Sequence, residues 1–189
     1  MAAPRGGHFI SGAMQQSIFL VGPMGSGKTA VGRGLARRLG LRFVDSDAEI
    51  EARTGVDISF IFEQEGEAGF RQREREVIED LTRQPGIVLA TGGGAIILPE
   101  NRACLAGRGI VVYLETSLRH QVERTRHGRH RPLLNTDDPA GRLAELMRMR
   151  EPLYLEVSRL AVRTDGRKVQ SVVQDIIDGL GERITPEPC

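Results

Sequence analysis

The sequence predicts an α/β fold in three layers (α/β/α), built on a central parallel sheet of about five strands. Two observations predict it. Short apolar runs alternate with segments of helical periodicity, which is typical of a parallel sheet covered by helices on both faces. A glycine-rich motif also stands between the first apolar run and the helical pattern that follows it. The five apolar runs lie near residues 17–21, 41–44, 87–90, 110–114 and 160–164.

The glycine-rich motif is residues 22–29, GPMGSGKT, which fit the spacing G-x-x-x-x-G-K-[ST] of a phosphate-binding loop. Its glycines let backbone N–H groups approach phosphate oxygens, and the start of the next helix adds positive potential. Lys28 is expected to reach the β- and γ-phosphates, and the Thr29 hydroxyl to bind Mg²⁺. The motif therefore predicts that the chain binds a nucleoside triphosphate.

Composition is that of a single globular domain. The chain has 189 residues, 40% of them apolar and 27% charged, and a net charge of +1, which does not indicate a nucleic-acid or anionic-membrane partner. Cys104 and Cys189 form no disulfide framework, so a cytoplasmic location is expected. Residues 1–16 lack the pattern of a secretory signal and are predicted to be a disordered extension. Residues 17–181 are expected to form the domain and 182–189 a frayed tail.

Two carboxylates follow the second predicted strand. Asp45 and Asp47 lie just past residue 44, at the edge where parallel α/β sheets hold ligands. One of them is expected to cap the helix predicted over 48–53. Because a cap needs one carboxylate, the second is left for a ligand role.

Residues 56–83 are predicted to form helices with two apolar faces, and Gly66 and Gly69 lie between these faces. Arg71 directly follows the apolar Phe70, at the start of the second face. Taken alone, Arg71 has the pattern of a surface arginine. Gly92, Gly93 and Gly94 follow the third predicted strand, where three glycines form either a tight turn or a surface that a substrate approaches closely.

A basic stretch over residues 124–134 is dense in arginine and histidine, and Gly128 and Pro132 forbid a regular helix there. Beside a phosphate site such a stretch is expected to be a mobile lid, spanning about 124–138. A solvated loop or a nucleic-acid-binding patch are the alternatives, and the net charge and lack of interleaved aromatic residues argue against the last. The next helix should kink or restart at Pro152. The remaining helices are predicted at 99–106, 117–126, 139–158 and from 169 onward.

In six elements, taken in order, the chain resembles the shikimate kinases, which have a P-loop kinase type of fold. The resemblance covers nearly the whole chain from residue 17 onward. The elements are the loop at 22–29, Asp45-Ser46-Asp47, residues 66–71 with Glu74, Thr91 with Gly92–Gly94, residues 131–134 and residues 150–154.

The resemblance implies transfer of the ATP γ-phosphate to the 3-hydroxyl of shikimate, a step of chorismate and aromatic amino-acid biosynthesis, with Mg²⁺ as cofactor. Asp47, Lys28 and Arg131 would be catalytic, Thr29 would ligate the metal, and Asp45 would reach it through water. The implied ATP-binding residues are Gly25, Ser26, Gly27, Lys28, Thr29, Ala30, Arg124, Arg131 and Arg167. The implied substrate-binding residues are Asp47, Arg71, Gly92, Gly93, Gly94 and Arg150.

Planar guanidinium groups suit the carboxylate of shikimate, which is a physical reason for Arg71 and Arg150 to serve. Ala30 departs from the family, since many relatives carry a second hydroxyl there. No Asp ends the third or fourth predicted strand, which favours Asp45 over Glu115 as the metal partner. Arg126 and Arg129 are further candidates for the lid cation.

Other functions remain open at this point. A gluconate or nucleoside monophosphate kinase is a second enzyme hypothesis, although the paired arginines favour a carboxylate-bearing polyol. A GTP-dependent switch is disfavoured because no Asn-Lys-x-Asp signature is present. A nucleic-acid-binding ATPase would need a basic face that the net charge does not indicate. The expected partners are therefore ATP and shikimate, with no nucleic acid and no membrane, and the chain is expected to be a monomer.

Overall fold

Five parallel strands form the centre of the protein in the computed structural model, which describes residues 16–125, 132–134 and 136–184. The strand order across the sheet is β2-β3-β1-β4-β5. Adjacent strands pair in register, for example Leu20 with Ala90 and with Val112. The strands are β1 (Ile18–Val21), β2 (Arg42–Asp45), β3 (Ile87–Ala90), β4 (Ile110–Glu115) and β5 (Leu160–Arg163).

Helices follow the strands in alternation, which confirms the predicted three-layer α/β/α fold. A short 3₁₀ turn, Pro132–Leu134, precedes the sixth helix. The helices are α1 (Lys28–Leu39), α2 (Ser46–Thr54), α3 (Ile58–Thr82), α4 (Pro99–Arg108), α5 (Leu118–Thr125), α6 (Pro139–Val157) and α7 (Val169–Ile184). None of these helices has both the length and the apolar character that a bilayer span requires.

The sheet separates two hydrophobic clusters because successive strand residues point to opposite faces. On one face Phe19 and Val111 pack against residues of α2, α3, α4 and α6. On the other face Leu20 and Val112 pack against α1 and α7. The strands are apolar at nearly every position because both faces are covered.

The chain reverses its direction across the sheet at β1. After β1 it moves out to β2 and β3 on one side, and after β3 it crosses to β4 and β5 on the other. In parallel α/β sheets, ligands bind at the carboxyl ends of the strands beside such a reversal. The loops 22–27 and 91–98 leave the sheet at this edge, next to Asp45.

Two helices carry a predicted interruption. Of the kink or restart expected at Pro152, the restart is wrong, because α6 continues through Pro152 to Val157. The interruption expected around Gly66 and Gly69 is present in α3, because Gly66 has the non-helical φ of 68° and ψ of −174°. The predicted extension before residue 16, residues 126–131 and 135 of the predicted lid, and residues 185–189 of the predicted tail lie outside the described residues.

Candidate active site

The phosphate-binding loop adopts a backbone that only glycine accepts readily. Gly22, Gly25 and Gly27 have φ values of 147°, 80° and 88°. A Cβ atom on Gly22 would lie 2.7 Å from the carbonyl oxygen of Leu114, so a side chain has no room there. Gly27 caps the start of α1 without a side-chain hydrogen bond, so the first N–H groups of the helix face the cavity edge.

Lys28 folds back over this loop. Its Nζ donates to the carbonyl oxygens of Gly22 at 2.7 Å and Pro23 at 2.8 Å, and to the Ser26 hydroxyl at 3.3 Å. These contacts hold the ammonium group over the concave side of the loop. Phosphate oxygens of a bound nucleotide would meet the ammonium group there.

Asp45 has two roles that use different oxygens. Its Oδ1 accepts hydrogen bonds from the backbone N–H groups of Asp47 and Ala48, so it caps α2. Its Oδ2 accepts from the Thr29 hydroxyl at 2.9 Å. A hydroxyl and a carboxylate at the mouth of a phosphate loop are the hard oxygen donors that Mg²⁺ takes, together with phosphate oxygens and water. The donor set therefore fits Mg²⁺.

Asp47 is the carboxylate that the cap leaves over, and it points into the cavity. Its Oδ1 is buried and has no hydrogen-bond partner among the described residues. The residue as a whole is partly exposed to solvent. Burial, with the nearby carboxylates of Glu74 and Asp45, raises the pKa of Asp47 to about 7. A carboxylate with such a pKa is suited to accept a proton near neutral pH.

Glu74 faces Asp47 across the backbone of Gly92. A Cβ atom on Gly92 would lie 2.7 Å from both Asp47 Oδ1 and Glu74 Oε1, so the two carboxylates converge on one point. Glu74 Oε1 also has no hydrogen-bond partner among the described residues. Both oxygens therefore keep an unused acceptor site, and both residues line the cavity.

Two buried arginines form the opposite end of the site. Arg71 is 8% exposed and Arg150 is 5% exposed. The Arg71 Nη1 donates to Glu74 at 2.7 Å, and Nη2 donates to Glu67 at 2.9 Å. Burial lowers the pKa of Arg150, and the neighbouring charge of Arg71 adds to that effect. A cationic group buried beside another is well placed to bind an anion.

The glycine run, Gly92–Gly94, lies between the two carboxylates and the two arginines. A Cβ atom on Gly94 would lie 2.3 Å from Nη2 of Arg71, and one on Gly93 would contact the backbone of Met24 in the phosphate loop. The N–H of Gly92 donates to the hydroxyl of buried Ser46. The close approach of Arg71 explains why no side chain is present at position 94.

A cavity of about 490 Å³ joins these elements. Of the predicted site residues, it is lined by Gly25, Gly27, Lys28, Thr29, Ala30, Asp45, Asp47, Arg71, Gly92, Gly93, Gly94, Arg124 and Arg150.

Ser26 is fully buried beneath the loop. Arg124 reaches over the loop, donating to the carbonyl oxygen of Gly25 at 2.8 Å. Arg167 lies outside the cavity lining and pairs with Asp175 at 2.6 Å, so its role in ATP binding stays a prediction. Arg131, Arg126 and Arg129 lie outside the described residues.

The structure adds residues to which the sequence patterns assigned no role in the site. Ile58, Phe62 and Phe70 form an apolar wall of the cavity, with the two phenylalanine rings 4.8 Å apart. They had the pattern of core residues, and their periodicity does not distinguish a core from a cavity wall. Glu74 carried a signal, since it lies three residues after Arg71 on one helix face.

Comparison with known proteins gives consistent results. The family model for shikimate kinase matches residues 24–181. A shikimate kinase from Halorhodospira halophila is 57% identical over 163 residues, covering 86% of this chain and 92% of that protein. One from Vibrio parahaemolyticus is 53% identical over 171 residues, covering 90% of this chain and 99% of that protein.

Solved structures agree with the sequence comparisons. The structure of a shikimate kinase from Acinetobacter baumannii in complex with shikimate has a TM-score of 0.89 and 47% identity, covering 90% of this chain and 96% of that one. A shikimate kinase from Aquifex aeolicus has a TM-score of 0.78 and 33% identity, covering 88% and 97%. Likeness at this level extends through the sheet and both helical layers.

Proposed function

The chain belongs to the shikimate kinase family, and we propose that it transfers the γ-phosphoryl group of ATP to the 3-hydroxyl of shikimate. The products would be shikimate 3-phosphate and ADP, in the biosynthesis of chorismate and aromatic amino acids. One observation carries the proposal: a single cavity connects the phosphate loop to Asp47 and to two buried arginines.

The arginine end of the cavity would bind the carboxylate of shikimate. Arg71 and Arg150 place two guanidinium groups in a setting with little water, where a charge-assisted hydrogen bond is stronger than at the surface. Arg71 is paired with Glu74 and Glu67, whereas Arg150 forms no ion pair with a described residue, so the charge of Arg150 would be available to the substrate carboxylate. The apolar wall at Phe62 and Phe70 and the glycine run would hold the ring between them.

Asp47 would orient the 3-hydroxyl and accept its proton as the hydroxyl oxygen attacks phosphorus. The unpartnered Oδ1 is the atom that would take the hydrogen bond. The raised pKa supports this role, because proton transfer is most effective when the base titrates near the working pH.

The phosphate end would hold and polarise the γ-phosphoryl group. The loop N–H groups and Lys28 would bind phosphate oxygens, replacing the loop carbonyls that Lys28 contacts in this structure. Thr29 and Asp45 would hold Mg²⁺, which supplies charge neutralisation at the β- and γ-phosphates. Arg131, outside the described residues, stays the predicted lid cation.

The test is ADP release in the presence of ATP and Mg²⁺, scanned over shikimate, quinate, gluconate and nucleoside monophosphates. We expect turnover with shikimate. ADP release that is independent of shikimate, or turnover with another acceptor instead, would contradict the proposal.

Asp47→Asn is expected to lower kcat by at least about a thousandfold while the affinity for ATP changes little, because the base is lost and the phosphate loop is kept. Kinetics with shikimate and a direct titration with ATP measure the two effects. Asp178→Asn, an exposed substitution on α7, serves as the matched control and should keep wild-type kinetics. A rate for Asp47→Asn close to wild type would remove Asp47 from the mechanism.

Oligomeric state, further partners and location remain predictions from the sequence. The absence of a nucleic-acid partner is predicted from the net charge of +1, a cytoplasmic location from the two cysteines, and a monomeric state from the size of a self-contained α/β domain. Size-exclusion chromatography with light scattering tests the oligomeric state.

A further inference from the structure

Tyr154 links the two halves of the substrate end of the cavity. It lies on α6, four residues after Arg150, and its side chain is almost fully buried, at 1% exposure. Its hydroxyl donates to the carbonyl oxygen of Gly93 at 2.5 Å. Tyr154 does not line the cavity itself, so it would act on the substrate through its neighbours.

The glycine run needs contacts of this kind. Three glycines in succession have large backbone freedom and no side chains with which to anchor themselves. Thr91 donates to the carbonyl oxygen of Leu20 at 3.1 Å, and Ser46 accepts from the N–H of Gly92 at 2.9 Å. These contacts secure the start of the run, and the Tyr154 hydroxyl secures its middle.

Displacement of Gly93 would disturb several parts of the site together. Its neighbour Gly92 lies against Asp47 and Glu74, and its other neighbour Gly94 lies against the Arg71 guanidinium. Gly93 itself lies against the phosphate loop at Met24. A Cβ atom on Gly93 would make only an ordinary contact with Met24, at 3.5 Å, so the position of the Gly93 carbonyl group affects chiefly the two tighter flanking contacts, which set the spacing between the base and the carboxylate-binding arginine.

The position of the Tyr154 hydroxyl is itself well defined. The ring stacks on Tyr113 of β4, with centroids 5.0 Å apart and planes inclined by 20°. Arg150 lies one helical turn before Tyr154, so the two side chains share one face of α6. Tyr154 thus contacts the glycine run and is adjacent to the second arginine.

We propose that the Tyr154 hydroxyl is a positioning group that holds the glycine run in register with Arg150, and so sets the affinity for the carboxylate-bearing substrate. The inference rests on the proposed function. Tyr154 would thus influence substrate recognition without contacting either the substrate or the reacting phosphate.

Tyr154→Phe tests the proposal, because phenylalanine keeps the buried ring and removes only the hydrogen bond. We expect the KM for shikimate to rise about tenfold, as the loss of one well-formed hydrogen bond would give. The KM for ATP should stay within about twofold of wild type. Tyr113→Phe is the matched control, since it alters the partner of the same stack, and it should leave both KM values within about twofold.

The outcomes separate this inference from the proposed function. If the wild-type protein does not phosphorylate shikimate, the proposed function fails before any variant is compared. If wild type is active, an unchanged KM for shikimate in Tyr154→Phe overturns the inference. Equal increases of both KM values also overturn it, because they would indicate a general structural defect.

A second measurement applies if Tyr154→Phe does not fold. The chain has two tyrosines, so wild-type protein labelled with 3-fluorotyrosine should give two ¹⁹F resonances, which Tyr113→Phe assigns. Shikimate added without ATP should shift the Tyr154 resonance more than the Tyr113 resonance. A Tyr154 resonance that does not respond to shikimate would overturn the inference.

Discussion

At the scale of single residues, the site depends on a balance of buried charges. Asp47 and Glu74 supply two carboxylates, and Arg71 and Arg150 supply two guanidinium groups. Burial raises the pKa of Glu74, and the charge of Arg71 partly offsets that effect. Of Asp47 and Glu74, Glu74 is tied to Arg71 by a short hydrogen bond, whereas Asp47 has no hydrogen bond to an arginine among the described residues. This leaves Asp47 as the group whose protonation can change during a reaction.

The pH dependence of the reaction follows from Asp47. Its pKa lies at about 7, above the usual range of a carboxyl group, so it becomes protonated as the pH falls through that value. The protonated form cannot accept a proton, and kcat/KM for shikimate should therefore fall as pH decreases below about 7. A steady-state profile from about pH 5.5 to about pH 8 measures it, with circular dichroism confirming the fold at each pH. A flat profile over that range would contradict the assignment of Asp47 as the base.

Arg71 should contribute to both binding and stability. Arg71→Ala is expected to raise the KM for shikimate by about 10- to 100-fold, because a charge-assisted contact to a non-reacting carboxylate is lost. It should also lower the free energy of unfolding by about 3–5 kcal/mol, since fully buried Glu74 loses its ion-pair partner. Enzyme kinetics and urea denaturation measure the two effects separately.

The double variant Arg71→Ala with Glu74→Gln is the control for this prediction. It removes the unpaired buried charge and should recover much of the lost stability without restoring the affinity for shikimate. Stability as low as that of the single variant would show that the ion pair is not the cause.

At the scale of elements, loops at the carboxyl ends of β1, β2 and β3 supply most of the site, and helices α3 and α6 supply the arginines. The glycine run after β3 is the element on which these parts converge. Each of its glycines has a different neighbour, so substitutions along it should have different effects.

Gly94→Ala and Gly93→Ala form a matched pair. A Cβ atom at position 94 would overlap the Arg71 guanidinium, which Glu74 and Glu67 hold in place, whereas one at position 93 would make ordinary contacts of 3.5 Å or more. We expect Gly94→Ala to raise the KM for shikimate about tenfold and Gly93→Ala to raise it less than about threefold. Similar effects of both substitutions would argue that the backbone, and not the Arg71 contact, limits binding.

At the scale of the whole molecule, the sheet separates two hydrophobic clusters. One includes residues of α3 and α6, the helices that supply the site arginines, and the cluster on the second face mainly contributes stability. The cluster around α1 and α7 lies on the second face. Ile176 in it is fully buried and lies outside the cavity lining. Substitutions there should lower stability without changing the affinity for substrates.

Ile176→Ala is expected to lower the free energy of unfolding by about 2–5 kcal/mol through lost burial and the cavity it leaves. Both KM values should stay within about twofold of wild type. Val169→Ala, at an exposed position of the same helix, should change stability by less than about 0.5 kcal/mol. A large change in the KM for shikimate in Ile176→Ala would show that the two faces are coupled.

Local patterns carried the prediction of the fold. The alternation of apolar runs and helical periods predicted five parallel strands and three layers, and the loop motif predicted the glycine backbone seen at Gly22, Gly25 and Gly27. Where a local rule and a tertiary contact disagreed, as at Pro152, packing of the neighbouring buried residues of α6 prevailed. The interruption of α3 at Gly66 followed a local pattern, because Gly66 and Gly69 lie between two apolar faces of the predicted helices.

The sequence by itself determined the phosphate loop, the class of fold and the family. Each of these rests on short motifs or periodic segments whose residues are close together in the chain. Only the tertiary structure decided that Asp47, Glu74, Arg71 and Arg150 surround one cavity, because their distances depend on strand order and helix packing. It alone raised the pKa of Asp47, which is an effect of burial, and it brought the Tyr154 hydroxyl to Gly93. Residues 61 positions apart meet there because Tyr154 of α6 packs in one hydrophobic cluster with Leu89 and Ala95, on either side of the glycine run, and no local pattern encodes that contact.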